Sequence, residues 1–565
     1  MSTNRVYGID LGTTYSCIAY VDEHGKPVVV PNAEGRPTTP SVVFFENPGN
    51  TVVGQTAKEV AVMYPDRVIS AVKRSMGDPN WVSDHDGNTY HPQDISSFIL
   101  RKLINDAEVV TGDKITDVVI TCPAYFGVTE KEATKQAGVL AGLNVRYVIP
   151  EPTAAAIAYG IDQSEDQVIL VYDLGGGTFD ITLIDIKANG IKVVCTGGDN
   201  RLGGKDWDET IASWFAEQFS NEKGIPAENL TSDLETWQDL LNLAEKAKVA
   251  LSTCLSRPQK IRHDIDSVTV TLTREKFDEL TANWLERTVS LTEELLATAR
   301  DKGYSKVDKL LLVGGSTYMP QIMDAVEAKF PFEVRHYDPN QSVAKGAALF
   351  GFKCYLDDRV VEWIVDQTGA DAPGVTVDAV SEEIRVKAEQ AVAQEHGIAL
   401  PGLQKLTRPK IQNVTSKSFG IVVVDQSDQD VVNNLIVVDD VVPCTLSQKF
   451  RTHEDGQDGV LLRCVENTQR LGPDDDHIPF PSSPEEQERV GLFLVGTAEI
   501  RFTHALPKGS PIEITFALAE DGRLTVLGQD LTTNQEAVGE FKTDAILTTE
   551  QLEEKKSRNL AIAVA

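Results

Sequence analysis

Two glycine-rich turns, each with a carboxylate just ahead of it, are the first residues of this sequence that could do chemistry. A strand-like run at residues 6–9 leads into Asp10-Leu11-Gly12-Thr13-Thr14, and residues 168–172 lead into Asp173-Leu174-Gly175-Gly176-Gly177-Thr178. Glycine lets the backbone approach a phosphate, N–H groups and threonine hydroxyls donate to its oxygens, and an aspartate can hold a hydrated metal ion. One such turn could be a bare hairpin, but the repeat favours two related lobes that face each other around a metal-bound polyphosphate.

A third turn lies near residue 314. The apolar run Leu310–Val313 ends in Gly314-Gly315-Ser316-Thr317, and a helical pattern begins near Pro320. Glycine there lets a flat base and a sugar come close to the backbone, and a helix start offers N–H groups without partners inside the helix. A strand-to-helix turn of this kind is by itself more often only structural, so its functional interpretation depends on the other two turns.

Alternating strand-like and helical patterns must position these turns. Up to about Gly351, β-rich runs such as residues 117–120 alternate with helical stretches such as residues 237–251, which is typical of α/β layers. From about residue 413 to 541 the runs are short, rich in Val, Ile and Phe, and separated by turns such as Asp521-Gly522. This pattern favours a β-sandwich.

The sequence therefore predicts four segments. They are a nucleotide-binding domain at residues 1–353, a linker with a helical insertion at 354–412, a β-sandwich at 413–545 and a short C-terminal helix at 546–565. The insertion is expected because a connector of about sixty residues is long for a structureless linker. Residues 381–394 carry a polar helical pattern, between Pro- and Gly-containing stretches at 371–374 and 399–402.

Two further patterns concern the second half of the chain. Residues 472–488 are rich in Asp, Pro, Ser and Glu, which predicts a solvated loop. Thr548-Thr549-Glu550-Gln551 is a capping-box pattern. It predicts that a helix starts there, with room for little more than about a dozen residues.

Composition disfavours several classes of function. The chain has 565 residues, more than one hydrophobic core holds, and its 41% hydrophobic and 24% charged residues are ordinary for globular domains. The formal net charge of -32 repels nucleic acid and anionic membranes, so we expect neither as a partner. The seven cysteines show no CxxC spacing, no run approaches a membrane helix, and too few residues precede the first strand for a signal peptide. A cytoplasmic location is expected.

At this point the residues resemble a known superfamily. The three turns together are similar to those of actin, hexokinase and heat shock protein 70, and further stretches resemble the chaperone branch, the heat shock protein 70 (DnaK-type) family, almost continuously over residues 5–351. These stretches are Thr121-Cys122-Pro123-Ala124-Tyr125-Phe126, Ile149-Pro150-Glu151-Pro152-Thr153-Ala154-Ala155-Ala156 and Leu202-Gly203-Gly204-Lys205-Asp206-Trp207-Asp208. The resemblance implies an α/β actin-like ATPase domain, a duplicated ribonuclease H-like fold, followed by an all-β sandwich that binds peptides.

The same resemblance implies the residues of an ATP site. Lys73, which pattern alone would assign to a solvated surface, matches the lysine that reaches the γ-phosphate and the attacking water. Glu151 matches a carboxylate that helps position the water and the magnesium shell. The implied catalytic set is Lys73, Glu151, Asp173, Thr178 and Asp10, with Asp180 beside it, and the implied metal carboxylates are Asp10, Asp173 and Glu151. The implied cofactors are ATP or ADP, Mg²⁺ and, as a further cation, K⁺.

The nucleotide is implied to lie against all three turns and one helix. Glu245, Lys248 and Ser252 share one helix face, which could otherwise be a solvated charged face, and the resemblance assigns them to ribose and adenine. Val249 and Tyr318 depart from the family, because some members have arginine at the first position and arginine is usual at the second. We therefore expect altered nucleotide affinity, with an aromatic still able to stack on adenine. The implied contacts are Gly12, Thr13, Thr14, Tyr15, Gly175, Gly176, Gly177, Thr178, Gly203, Gly204, Glu245, Lys248, Ser252, Gly314, Gly315, Ser316 and Tyr318.

Resemblance continues more loosely into the second block. Residues 418–421, 447–450 and 511–516 resemble a sandwich in which an extended peptide is held by main-chain hydrogen bonds and one apolar pocket. The implied pocket residues are Ile421, Val424, Phe450, Val460, Leu462 and Ile512. Ordinary sandwich core explains any one of them equally well, because alternating apolar positions are expected in every strand.

Three departures concern the coupling of the two domains. The helical lid of long family members is expected to be almost absent, because the chain stops soon after Leu552. The acidic, leucine-rich linker is not recognisable, and its nearest candidate is residues 402–406. The segment 472–488 lengthens one side of the sandwich. Fast peptide exchange is therefore expected.

The leading interpretation is an ATP-dependent molecular chaperone that hydrolyses ATP, binds exposed hydrophobic segments of unfolded polypeptides, and serves protein folding and the stress response. The implied partners are client polypeptides, a J-domain co-chaperone and a nucleotide exchange factor. The alternative is a nucleotide-binding holdase or exchange factor with little productive hydrolysis, which the retained catalytic residues disfavour and the altered linker favours. A small-molecule kinase on the same fold is disfavoured, because the sugar-kinase pattern has no β-domain after residue 413.

Overall fold

The structure of the chain is a computed structural model. It describes residues 5–160, 165–368, 377, 380–425, 427–473, 475, 477–520, 522–542 and 546–565. Asp521 of the predicted hairpin turn, residues 371–374 and the predicted boundary at residue 545 lie outside these ranges.

The first lobe is built on a sheet in which an antiparallel meander is extended by parallel strands. Its elements in chain order are β1 Tyr7–Asp10, β2 Tyr15–Val21, β3 Pro27–Val29, β4 Thr39–Pro40, β5 Val42–Asn47, β6 Asn50–Val53, α1 Gln55–Val60, β7 Val68–Ser70, β8 Ser83–His85, β9 Asn88–Tyr90, α2 Pro92–Thr111, β10 Asp117–Cys122, α3 Val128–Leu140, β11 Asn144–Pro150 and α4 Glu151–Gly160. The strand order is β11-β10-β1-β2-β3, with β4 beside β2. Ile9 of the sheet and Phe98 of α2 are fully buried in one core, which holds the first glycine turn on a rigid support.

The second lobe repeats this plan. Its elements are β12 Gln167–Leu174, β13 Phe179–Lys187, β14 Gly190–Asp199, α5 Gly204–Lys223, α6 Ala227–Ser232, α7 Leu234–Leu251, β15 Ser256–His263, β16 Asp266–Thr273, α8 Arg274–Asp301, β17 Lys309–Val313, α9 Pro320–Lys329, β18 Glu333–His336 and α10 Ser342–Thr368. The order β18-β17-β12-β13-β14 matches β11-β10-β1-β2-β3 strand by strand, and β12 runs parallel to β17 as β1 does to β10. Each predicted phosphate turn thus joins the first two strands of an equivalent sheet.

Local capping explains where the predicted helices begin. The helical pattern at 237–251 starts earlier, at Leu234, because the Asp233 side chain accepts a hydrogen bond from the Thr236 N–H and caps the helix. The helix expected near Pro320 starts at that residue, where a missing N–H does no harm.

Among the described residues between the lobes and the β-rich part, two helices follow α10. They are α11 Glu382–Glu395, at the helix predicted for 381–394, and α12 Leu400–Thr407. Leu356 of α10, Val392 and Leu403 are buried in a small core of their own. The Glu389 carboxylate is buried beside it and accepts hydrogen bonds from Arg408 at 2.7 and 3.0 Å. The linker candidate at 402–406 is therefore part of a packed helix rather than a free connector.

The actual connection to the β-rich part is a strand. Strand β19, Lys410–Val414, lies parallel to β14, with Ile411 opposite Ile191, and so extends the sheet of the second lobe. The short strand β22, Val441–Val442, then pairs with β19. The predicted boundary between residues 412 and 413 thus falls inside β19, a strand of the second lobe's sheet.

The β-unit, defined here as residues 418–542, is all-β apart from one short helix in the residues described. Besides β22, its elements are β20 Ser418–Val424, β21 Asp430–Ile436, β23 Cys444–Arg451, β24 Gln457–Asn467, β25 Ile478–Pro479, α13 Pro484–Arg489, β26 Phe493–Leu506, β27 Pro511–Leu518, β28 Leu524–Asp530 and β29 Gln535–Lys542. Nine strands pair in the order β23-β27-β28-β29-β26-β24-β20-β21-β25. Phe516 and Ile500 are fully buried in its main apolar core.

The segment 472–488 differs from the solvated loop predicted for it. Strand β25 pairs with β21, and helix α13 follows it. Ile478 packs against Val422 and Val432 on the outer face of the sheet, with Phe480 beside them. Two apolar side chains within an otherwise polar stretch are sufficient to fix it on the sheet, because they cover apolar surface there.

The β-unit contacts the first lobe at the start of α3. The Val128 N–H donates to Glu466 Oε2 at 3.2 Å, so this carboxylate caps the helix, where negative charge is favoured. A Cβ at Gly127 would lie only 2.1 Å from Glu466 Oε2, so a larger residue there would displace this carboxylate. Nearby, the buried Lys417 ammonium lies 3.7 Å from the centre of the Tyr125 ring, a cation–π contact.

The C-terminal residues return to the first lobe. Helix α14, Thr549–Ala561, begins at the predicted capping box, in which Thr548 and Gln551 exchange hydrogen bonds. Strand β30, Ala563–Val564, then adds to β6 in parallel. The helix is held by Asp94 of α2, a fully buried side chain that accepts hydrogen bonds from a lysine, an arginine and an asparagine of α14. These donors are Lys555 at 2.7 Å, Arg558 at 3.1 Å and Asn559 at 3.0 Å.

Replacing the buried acceptor should release the C-terminal helix. Asp94→Ala leaves Lys555 and Arg558 without their carboxylate, and breaking a buried pair on one side costs about 3–5 kcal/mol. We expect amide hydrogen exchange across residues 549–564 to rise steeply while exchange in α5 stays unchanged.

A matched control is Asp66→Ala, at an exposed aspartate of the same lobe. Burial would raise the pKa of Asp94, but hydrogen bonds from His91 and Lys555 outweigh it and lower the pKa well below the usual range. The clamp should therefore persist in acid and be lost only as pH falls toward that lowered value. Unchanged exchange in Asp94→Ala would contradict this assignment.

Docking of the β-unit should weaken as pH rises. Burial and the nearby Glu466 carboxylate raise the pKa of Glu130 to about 7, while Lys417 opposes the shift. Because the docked state binds this proton more tightly than a separated state would, docking is strongest below the ordinary pKa of a glutamate. It weakens as pH rises through about 7.

Hydrogen exchange at the Val128 amide reports this docking directly, because that N–H is bonded to Glu466. We expect its protection to fall between pH 5 and pH 8, after correction for the intrinsic exchange rate. Glu130→Gln should remove most of this dependence, and a variant that kept the full pH dependence would contradict the role of Glu130.

Candidate functional site

The two predicted phosphate turns touch each other. A Cβ at Gly176 would lie 1.9 Å from Thr14 Oγ1, and one at Gly177 would lie 2.4 Å from Thr13 Cγ2, so only glycine permits this approach. They meet at one end of a cavity of about 980 Å³ between the lobes. A cavity of this size accommodates a nucleotide-sized ligand.

Four charged side chains converge where the turns meet. Asp10 ends β1, Asp173 lies near the end of β12, and Glu151 opens α4. The buried Lys73 ammonium forms an ion pair with the Glu151 carboxylate. All four line the cavity, which places one cation among three carboxylates.

Burial and the closeness of like charges shift the pKa values of these side chains. Burial and the Glu151 carboxylate raise the pKa of Asp10 to about 7, and burial with the same neighbour raises the pKa of Asp173 well above its usual range. Burial alone would lower the pKa of Lys73, but Glu151 and Asp10 raise it, so the lysine stays charged. The cluster therefore favours the binding of further positive charge.

These residues fit a magnesium ion that is carried by a phosphate ligand. Within the described ranges, no three His, Cys, Asp or Glu side chains converge closely enough to hold a metal ion by themselves. Mg²⁺ prefers oxygen ligands, keeps several waters, and is commonly bound by one or two carboxylates together with substrate phosphates. Asp10 and Asp173 supply that kind of ligand beside turns suited to phosphate.

The turn that carries Lys73 is tied to the opposite lobe. Ala71 has a left-handed φ of 56°, which an alanine adopts only under constraint, and a 3-10 turn follows over Val72–Ser75. The next residue, Arg74, donates to the Gly177 carbonyl at 2.9 Å and to Asp206 at 2.6 Å. Arg74 thereby fixes the lysine turn against the second phosphate turn.

The far end of the cavity is bridged by an ion pair between the lobes. Lys58 of α1 bonds to Glu245 of α7 at 2.6 Å, and the Tyr15 hydroxyl accepts from Lys58 at 3.1 Å. Burial would raise the pKa of Glu245, but the Lys58 ammonium lowers it. The pair joins α1 of the first lobe to α7 of the second, and both side chains line the cavity.

The two positions that depart from the family pattern both border this end. Val249 is 64% exposed, and Tyr318 is 45% exposed with its ring edge-on to His336 at 5.4 Å. Both line the cavity, as does Trp237. This end thus offers apolar and aromatic walls rather than guanidinium groups.

Most of the sequence-predicted nucleotide residues line this one cavity. The lining includes Asp10, Gly12, Thr13, Thr14, Tyr15, Lys73, Glu151, Asp173, Gly175, Gly176, Thr178, Glu245, Lys248, Ser252, Gly314, Gly315, Ser316 and Tyr318. Gly177, Gly203 and Gly204 lie behind it: Gly203 packs against Gly177, and Gly204 N–H donates to the Gly175 carbonyl at 3.0 Å. Their chemical roles remain predictions.

Sequence reasoning missed several residues of the cavity. Lys58, Lys205, Asp208, Trp237 and Asn340 line it without having been predicted. Lys205 and Asp208 lie inside a stretch already noted for its resemblance and could have been examined there. Lys58 carries no local signal, because its partner Glu245 is 187 residues away.

The predicted peptide-pocket residues lie in or beside the core of the β-unit. Ile421, Leu462 and Ile512 are buried in one cluster, and Phe450 and Val460 pack against it. Val424 is instead 44% exposed at the end of β20. This arrangement suits both a pocket and an ordinary core.

Comparison with known proteins identifies the family. In the described ranges, no helix is long and apolar enough to cross a membrane. A family model described as Hsp70 protein matches residues 6–354, more than half of the chain and most of both lobes. Members of that family combine an actin-like ATPase domain with ATP-dependent chaperone function. With its two matched lobes and the phosphate turns between them, this chain belongs to the Hsp70 family.

Proposed function

We propose that this chain is a chaperone that hydrolyses ATP in the cleft between its lobes and binds exposed apolar segments of unfolded polypeptides in its β-unit. The observation that carries the proposal is the convergence of Lys73, Glu151, Asp10 and Asp173 where the two glycine turns meet. These side chains come from four separate elements, and a purely structural explanation gives no reason to bury one cation among three carboxylates.

The chain's own residues account for the demands of hydrolysis. A water oxygen forms a bond to the γ-phosphorus, the bond to the bridging oxygen breaks, and ADP, inorganic phosphate and a proton are released. Lys73 supplies fixed positive charge beside the transferring group, and Glu151 holds both the lysine and the attacking water. Mg²⁺, when bound near Asp10 and Asp173, neutralises charge on the phosphate oxygens. Thr13 and Thr14 offer hydroxyl donors to them.

Removing the buried ammonium should separate ATP binding from hydrolysis. Lys73→Met keeps most of the side-chain volume and deletes the charge, so we expect turnover to fall by about 100-fold or more while ATP still binds. Single-turnover hydrolysis of radiolabelled ATP and calorimetric binding measure the two properties separately. Lys114→Met, at an exposed lysine of the same lobe, is the control.

Turnover unaffected by Lys73→Met would overturn the role given to this lysine. Tight ATP binding without single-turnover hydrolysis in the unmodified chain would favour the alternative, a nucleotide-binding holdase or an exchange factor for another chaperone.

Contacts between the cleft and the β-unit support coupling of the two activities. Asp180 lies opposite Asp173 in the β12–β13 ladder and accepts a hydrogen bond from the Tyr125 N–H at 3.1 Å. The Tyr125 ring in turn contacts Lys417 at the root of the β-unit. A shift of the second phosphate turn upon hydrolysis can therefore act on the docking contact. By linkage, peptide in the β-unit would then affect the nucleotide reciprocally.

Peptide affinity measured with and without ATP tests the coupled function. We expect ATP to weaken the binding of a labelled, leucine-rich heptapeptide by about tenfold, within the usual range of coupling energies. Lys417→Met should reduce this difference, because it removes the charge that contacts Tyr125. Fluorescence anisotropy gives both affinities.

Lys508→Met, at an exposed lysine of the β-unit, should behave like the unmodified chain. Peptide binding that ignores ATP would overturn the coupling and leave hydrolysis untouched. A complete lack of peptide binding would favour an ordinary core over a pocket at Ile421 and its neighbours.

A further inference from the structure

Lys248 is held in the cavity by a carboxylate to which the sequence analysis gave no role. Its ammonium donates to Asp208 Oδ2 at 2.6 Å and to the Gly204 carbonyl at 2.8 Å. An ammonium has three N–H groups, and in the described part of the chain these are its two bonded acceptors. The third N–H is therefore left for a ligand in the cavity, which both side chains line.

Asp208 itself is poorly satisfied by the protein. Its side chain is 12% exposed, and among the described residues its Oδ1 atom is buried without a hydrogen-bond partner. Burial raises the pKa of this carboxyl to about 6, although Lys248 opposes the shift. A buried carboxylate with one polar contact costs stability, so its presence beside the cavity calls for a reason other than folding.

The pair sits on rigid supports. Asp208 belongs to α5 and Lys248 to α7, two helices whose apolar faces share the main core of the second lobe, where Trp207 and Ala247 are fully buried. Glu245, one turn before Lys248, is already engaged by Lys58. Asp208 is thus the carboxylate that restrains Lys248, while the other acid on this face is committed to closing the cavity.

We propose that Asp208 is a positioning residue of the nucleotide site, which orients the Lys248 ammonium so that its remaining N–H points to the bound nucleotide. This inference rests on the proposed ATP function. A fixed donor loses less conformational entropy on binding than a free lysine, whose side chain is among the most flexible. The role differs from catalysis, because Asp208 acts through Lys248 and does not itself touch the reacting phosphate.

A double-mutant cycle with ADP as the probe tests the proposal. We expect Asp208→Asn to raise the ADP Kd by about tenfold, the effect of losing one charge-assisted hydrogen bond. Lys248→Met should weaken binding at least as much, and the double variant should bind ADP no more weakly than Lys248→Met alone. In ATP turnover, KM should rise in Asp208→Asn while kcat changes by less than about twofold.

The control is Glu209→Gln, which removes a charge from the exposed face of the same helix next to Asp208. It should leave the ADP Kd unchanged. Unfolding temperatures measured without nucleotide show whether Asp208→Asn destabilises the fold. The double-mutant cycle separates positioning from stability, because a purely structural role of Asp208 would weaken ADP binding equally in the presence and absence of Lys248.

Several results would overturn the proposal. Unchanged or tighter ADP binding by Asp208→Asn, or additive losses in the double variant, would overturn it while leaving ATP binding intact. If Asp208→Asn fails to fold, an unaltered ADP affinity of Lys248→Met would overturn the proposal in the same way. Absence of ADP binding by the unmodified chain would instead overturn the proposed function, and this inference with it.

Discussion

The direct contact between the two glycine turns is the constraint on which the rest of the cleft depends. A Cβ at Gly176 would lie 1.9 Å from Thr14 Oγ1, so a larger residue there would displace the threonine and disturb the contact between the turns. Because each turn joins the first two strands of an equivalent sheet, the contact fixes how the two sheets face each other. Asp10 and Asp173, which end or nearly end those strands, are consequently brought to the same place. The positive charge of Lys73 then offsets part of the repulsion between these two carboxylates.

Repulsion among the carboxylates of the cleft destabilises the protein when no ligand is bound. Asp10 and Asp173 have raised pKa values because they are buried near Glu151, and one lysine does not balance them. A ligand that brings divalent positive charge together with phosphate oxygens relieves this repulsion, and whatever binds only the folded state stabilises it. Under the proposed function, the free energy lost in crowding the carboxylates is recovered when a metal-bound anion binds. This local arrangement also explains how a chain with a net charge of -32 can still take up an anionic ligand.

The sequence predicted the features that depend on residues close together in the chain. The turns after β1 and β12, the helix at Pro320 and the capping box at Thr548 are short patterns whose geometry follows from their residue types. Contacts between distant residues left no such signal: Lys58 meets Glu245 across 187 positions, and Lys417 meets Tyr125 across nearly 300. The packing of residues 472–488 was missed for a related reason, because Ile478 and Phe480 acquire their partners only when β21 is in place. Periodicity and turn chemistry therefore predicted the lobes and the phosphate turns, but not how the lobes close or how the β-unit docks.

Docking of the β-unit combines favourable and unfavourable contacts at one small place. Glu466 caps α3 and Lys417 lies on the Tyr125 ring, both of which favour association. Burial and the same Glu466 carboxylate raise the pKa of Glu130, so association is opposed whenever both carboxylates are charged. An interface made only of favourable contacts would stay closed through every turn of an ATPase cycle. Opposing contacts instead reduce the free-energy difference between the docked and separated states. Under the proposed coupling, a displacement at Asp180 would reach this interface through the hydrogen bond from the Tyr125 N–H.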